Sequence, residues 1–201
     1  MQRALTSMNK SIDFYFDFIS PYSFLAYKKI KIIDRKEKLK INYKPILLGG
    51  LHKLGGITAP AFNLRKMKNM KNDCELVALK NKIDFKWNTK FPINTLYLMR
   101  GYLVIDENLK EKFFDICFDA YWKENIDISN DKNFDKILDL VKIDKKKFYE
   151  DIQNIKIKNK LKDLTNAAFE KDIFGAPTFM VNGKIFWGQD RLDYAIDEYN
   201  S

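Results

Sequence analysis

Between residues 12 and 19 the chain alternates, with Ile12, Phe14, Phe16 and Phe18 on one side and Asp13, Tyr15 and Asp17 on the other. This is the period-two pattern of a strand with an aromatic face. Ser20-Pro21 follows at once, a hydroxyl residue suited to cap a helix and then the residue best tolerated at its first position. Phe24, Leu25, Lys28, Lys29 and Ile32 carry helical spacing onward toward Lys38. A second strand is predicted over 40–48, where Ile41, Tyr43 and Pro45 alternate with Asn42, Lys44 and Ile46, ending at the loop glycines Gly49-Gly50. A β-α-β opening requires parallel pairing and a crossover.

From about residue 60 to 169 strand alternation disappears and amphipathic stretches replace it. Over 109–125, Phe113, Cys117, Ala120 and Tyr121 recur at i, i+4, i+7 and i+8, one face of a helix. Helices are likewise predicted over 65–83, 93–105, 133–141 and 145–155, and another over 161–172. Short strands at 178–181 and 184–187 flank Asn182-Gly183, a strong two-residue hairpin signal, and a last helix is predicted over 190–199. The order is β-α-β, a helical insertion, then α-β-β-α.

A chain of 201 residues, 46% hydrophobic, is long and apolar enough to bury one substantial core. The first ten residues are polar, and no apolar run reaches the length of a signal peptide core or a membrane span, so a cytoplasmic protein without a membrane anchor is expected. The net charge of +9 suggests nucleic acid, but the distribution argues against it. Only Arg3, Arg35, Arg65, Arg100 and Arg191 of the 36 basic residues are arginine; the scattered lysines lack the fork that reads base edges and serve as solvated helix faces. Such a charge remains compatible with anionic small substrates. Cys74 and Cys117, 43 positions apart, form neither a C-x-x-C pair nor a metal-ligand cluster and are expected to be core thiols in a reducing compartment.

A proline before a strand is by itself an ordinary loop residue, cis in about 5–6% of cases. In this order of elements, however, Gly175-Ala176-Pro177-Thr178 matches the cis-proline position of the thioredoxin fold. The chain therefore resembles an α/β thioredoxin-like fold with a large all-helical insertion. The resemblance implies a thioredoxin-like domain over 10–58 and 160–201, with an inserted helical subdomain over 59–159. A redox member would carry C-x-x-C where this chain has Ser20-Pro21-Tyr22-Ser23. A thiolate there is stabilised by the helix N-terminus, and without either sulfur dithiol exchange at that site is excluded. Another molecule must supply the thiol, and glutathione is the natural candidate.

Three blocks make the resemblance specific. They are residues 14–26 (FYFDFISPYSFLA), 91–96 (FPINTL), and 174–179 with 186–192 (FGAPTF, FWGQDRL). All are similar to the 2-hydroxychromene-2-carboxylate isomerase family, and the first more loosely to kappa-class glutathione transferases. That resemblance implies glutathione as cofactor, an aromatic carboxylate from aromatic catabolism as substrate, a homodimer, and no metal. Ser20 is implied as the catalytic residue, stabilising the glutathione sulfur. Ala176 and Pro177 would hold the cysteinyl backbone and Gln189 with Asp190 the γ-glutamyl end, while Trp187 and Gly188 beside them would also bind glutathione; an ordinary helix cap is the alternative for Asp190. Lys53, in the Gly-rich loop at 49–56, is implied to reach glutathione or the substrate carboxylate. The family's Asn after the second glycine pair is replaced by Ile57-Thr58, and Asn63 is the residue offered in its stead. Tyr22, Phe24, Trp87 and Asn94 are expected to line the substrate pocket, core packing being the alternative for the three aromatic residues, with Arg191 either there or in an ion pair. His52 is ordinarily an incidental loop histidine; a base for Ser20 is the alternative. A kappa-like transferase or peroxidase, or a non-catalytic module binding glutathione or peptide, are the competing functions.

Overall fold

The computed structural model describes residues 10–34 and 38–201. The polar start with Arg3, and Arg35 with the 35–37 part of the first predicted helix, lie outside the described residues. The elements run β1 (Ile12–Phe16), α1 (Pro21–Asp34), β2 (Ile41–Pro45), α2 (Leu48–Leu54), α3 (Leu64–Asn81), α4 (Leu96–Val104) and α5 (Glu107–Trp122). They continue as α6 (Asp131–Val141), α7 (Lys145–Gln153), α8 (Ile155–Phe169), β3 (Thr178–Val181), β4 (Lys184–Trp187) and α9 (Leu192–Asn200). The sheet order is β2-β1-β3-β4, with β1 parallel to β2 and antiparallel to β3, and β3 antiparallel to β4. This is the expected thioredoxin-like arrangement, with α3 to α7 inserted between its halves.

Two differences from the sequence expectation bear on the site. The first strand stops at Phe16 because Asp17 folds the chain into a turn: its carbonyl accepts from Ser20 N at 3.0 Å and its carboxylate from Ile19 N at 3.1 Å. The Gly-rich stretch after β2 is also not a loop. Gly49 and Gly50 lie in α2, whose Leu48 N–H is capped from outside by the Asp17 carboxylate at 2.8 Å. A cap from a distant element offsets the low helix propensity of two glycines and leaves no local signal. The hairpin is as predicted, with Asn182 at φ 51° and Gly183 at φ 78°, the left-handed pair its two-residue turn requires.

The sheet is covered on both faces. Phe14 and Phe16 point into the main core with α1, α9 and the inserted helices, while Tyr15 joins Ile46, Leu51, Ala168 and Ile173 beneath α2 and α8. Aromatic packing ties the insertion to the sheet. The Phe114 ring of α5 lies 4.5 Å from Phe16, 4.4 Å from Tyr27 and 5.1 Å from Tyr43, centroid to centroid. Each such pair contributes about 0.5–1.5 kcal/mol beyond its burial. Cys74 and Cys117 are both free and buried.

Candidate active site

The turn made by Asp17 delivers Ser20 to the N-terminus of α1, where it caps the helix. Its Oγ accepts from Ser23 N at 3.1 Å, and its carbonyl accepts from Phe24 N at 3.1 Å. Pro21 has no N–H to satisfy, and the N–H of Tyr22 has no partner within the helix by the geometry of a first turn. The Ser20 hydroxyl donates to the Ala176 carbonyl at 2.8 Å across the site, and the Ala176–Pro177 bond is cis, as expected; so is Phe91–Pro92, which the sequence did not announce.

These residues sit in a cavity of about 950 Å³. One wall is the loop of Phe174 to Pro177 with Trp187 to Arg191. Another is α2 and the short 3-10 turn Pro60–Phe62, and the rest is α3 with residues 91–95. Gly188 is held at φ 113°, a conformation for which glycine is suited, and a Cβ there would fall 2.5 Å from Asp190 Oδ1. Trp187 stacks edge-on against Phe174 at 4.7 Å, forming a half-exposed aromatic rim. Gln189 is buried and its carbonyl accepts from Lys29 Nζ at 3.3 Å. Arg191 pairs with Asp190 at 3.4 Å and lies over the Tyr194 ring.

Below the cavity, Asp17 is fully buried and joins three of its walls. Besides Ile19 N and Leu48 N, its carboxylate accepts from the Thr95 hydroxyl at 2.7 Å. Burial raises its pKa above the ordinary carboxylate value, and these three hydrogen bonds oppose the rise. Tyr22, on the first turn of α1, donates to Asp73 of α3 at 2.8 Å. Burial first, and then this carboxylate, push the Tyr22 phenol far above its usual range, so it stays a neutral donor.

Ser20, Tyr22, Asn94, Ala176, Pro177, Trp187, Gly188, Gln189, Asp190 and Arg191 all line this cavity. Four expected residues do not. Phe24 is fully buried in the core against Phe85 and Phe118, because four residues on from Ser20 the inner face of α1 meets α5. Trp87 packs on Phe91 and Trp122. Asn63 caps α3, accepting from Lys66 N at 3.1 Å. Lys53 follows His52 on α2, and the 100° step between neighbouring helical residues puts His52 on the cavity and exposed Lys53 off it. The sequence reading missed Asp17, Lys66, Met70, Asp73 and Thr95, and it set His52 aside. An Asp closing an aromatic strand and a Lys66-Met70-Asp73 stripe at helical spacing are the signals the sequence offers.

Neither cysteine lines the cavity, and burial pushes both thiols above the ordinary range. Among the described residues no cluster of three or more His, Cys, Asp or Glu could hold a metal, and no helix is long and apolar enough to cross a membrane.

Residues 11–200 match the family described as the DSBA-like thioredoxin domain. The chain is 29% identical over 189 residues to a 2-hydroxychromene-2-carboxylate isomerase of Sphingobium xenophagum, covering 93% of this chain and 96% of that one. It is 26% identical over 203 residues to glutathione S-transferase kappa 1 of Caenorhabditis elegans, covering 92% and 89%. Against the solved structure of a selenomethionine 2-hydroxychromene-2-carboxylate isomerase the TM-score is 0.85 at 23% identity, over 94% of both chains; that likeness establishes the fold.

Proposed function

Because the chain belongs to the DSBA-like thioredoxin domain family, yet begins its first helix with Ser20-Pro21-Tyr22-Ser23, we infer that it is a glutathione-dependent isomerase of the 2-hydroxychromene-2-carboxylate isomerase type. The observation that carries this reading is the Ser20 hydroxyl, at a helix N-terminus and 2.8 Å from the carbonyl before the cis-proline. The relatives named as isomerases, over nine-tenths of the chain, support it.

The residues present fit glutathione. Ser20 Oγ already accepts from Ser23 N, so its one proton is the donor it can turn from Ala176 toward a sulfur. The Tyr22 N–H, which has no hydrogen-bond partner among the described residues, and the positive end of α1 favour negative charge at the same place. The Ala176 backbone would hold the cysteinyl unit, and Gln189 with Asp190 the γ-glutamyl end. When bound, glutathione supplies the nucleophilic sulfur, which neither buried cysteine can. The protein's own part is to orient, to exclude water with apolar walls, and to hold charge at the sulfur.

The same thiolate site would serve a kappa-type transferase, and the kappa relatives favour that second reading. With 2-hydroxychromene-2-carboxylate as substrate, isomerisation followed by absorbance is expected with glutathione and is expected to fall to the uncatalysed rate without it. Conjugation of a chlorinated arene without isomerisation would instead assign the transferase reading.

A further inference from the structure

We propose that Lys66, on the first turn of α3, is the receptor for the carboxylate of an aromatic acid bound beside the sulfur site, and so sets selectivity for anionic over neutral substrates. The inference rests on the functional reading above for the identity of the reaction, but not for the binding of the acid.

Among the described residues, the cavity walls hold three groups able to carry positive charge: His52, Lys66 and Arg191. Burial lowers the His52 pKa below its ordinary value, which disfavours its charged form. Arg191 is engaged by Asp190 and by the Tyr194 ring. Lys66 takes part in no ion pair among the described residues. It is the cation with its charge to spare.

Its placement suits an aromatic acid. Lys66, Met70 and Asp73 stand at i, i+4 and i+7 and all line the cavity, so α3 turns one stripe toward it. At the inner end Asp73 is tied to Tyr22, two residues from Ser20. Lys66 stands two turns away, about 10 Å along the helix axis. Between them Met70 offers a soft apolar surface for a ring. A flat acid lying across Met70 therefore has one end near the sulfur site and its carboxylate at an ammonium. Lys53, expected from sequence to meet that carboxylate, does not line the cavity.

The test is calorimetric binding of 1-naphthoate and of its neutral isostere 1-naphthamide, with and without saturating glutathione. Wild type is expected to prefer the acid about tenfold, the scale of one charge-assisted hydrogen bond. Lys66→Met should abolish that preference, leave the amide unchanged and leave glutathione affinity unchanged, while Lys66→Arg restores the preference. Lys68→Met, also exposed on the same helix but off the cavity, should behave as wild type and so exclude a bulk-charge effect. An acid preference that survives Lys66→Met, or falls equally in Lys68→Met, overturns the proposal. If glutathione itself fails to bind, the isomerase reading falls while the selectivity comparison still decides the role of Lys66.

Discussion

Ser20→Ala is expected to lower glutathione-dependent turnover about 10²–10³-fold, the scale on which removing one preorganised donor to a developing anion acts. The substitution removes the hydroxyl that faces Ala176 and also the cap on α1. Loss of a cap costs about 0.5–2 kcal/mol, a fraction of the stability of an ordinary domain, so the protein should remain folded. Circular dichroism and urea unfolding separate the two effects. A folded Ser20→Ala protein with undiminished turnover would remove Ser20 from the chemistry, whereas an unfolded one would locate its contribution in the cap.

Asp17 is expected to produce the largest stability effect in the site. Asp17→Ala leaves Ile19 N, Leu48 N and the Thr95 hydroxyl without their acceptor. An orphaned buried donor costs about 1–3 kcal/mol, and three in contact should together cost about 3 kcal/mol or more. The turn before Ser20, the start of α2 and the 91–95 wall loosen together, so glutathione affinity should fall with stability. The charge on Asp17 gives a second, independent signature. Its pKa is raised in the folded state, mainly by burial, so between the ordinary carboxylate value and the raised one the native protein holds a proton that the unfolded chain has released. Stability then falls as pH rises through that window. Asn at this position cannot titrate. The stability of wild type relative to Asp17→Asn should therefore decline as pH is raised from about 4 toward neutrality. A difference independent of pH would show that Asp17 titrates alike in both states.

The elements that local chemistry dictates were legible in the sequence. β1 was written in its aromatic alternation, α1 in the Ser20-Pro21 start, and the β3–β4 hairpin in Asn182-Gly183, whose two positive φ angles the turn demands. The Ser20 and Ala176-Pro177 juxtaposition could be anticipated from the resemblance to the thioredoxin fold, in which the cis-proline lies opposite the start of the first helix. What was not legible depends on tertiary partners. Helix α2 contains Gly49-Gly50 and draws its cap from Asp17, thirty-one residues earlier in the chain. The alternation of β1 placed Asp17 on a polar side, yet the second face of this sheet is buried under α2 and α8, so the carboxylate is enclosed. Lys53 and Lys66 were equivalent as charged residues near glycines and prolines. Only the helical phase of α2 and α3 decides which one meets the cavity. Phe24 and Trp87 were aromatic residues at helical spacing, and the core claimed both.

The central claim is that this site stabilises the thiolate of another molecule. Its most direct test is the ultraviolet thiolate absorbance of glutathione titrated with pH in the presence of excess protein. The bound thiol is expected to ionise below about 8.5, where an unperturbed thiol titrates, and Ser20→Ala to move the transition back toward that value. A bound thiol that titrates identically with and without the Ser20 hydroxyl, or glutathione that does not bind at all, would contradict it.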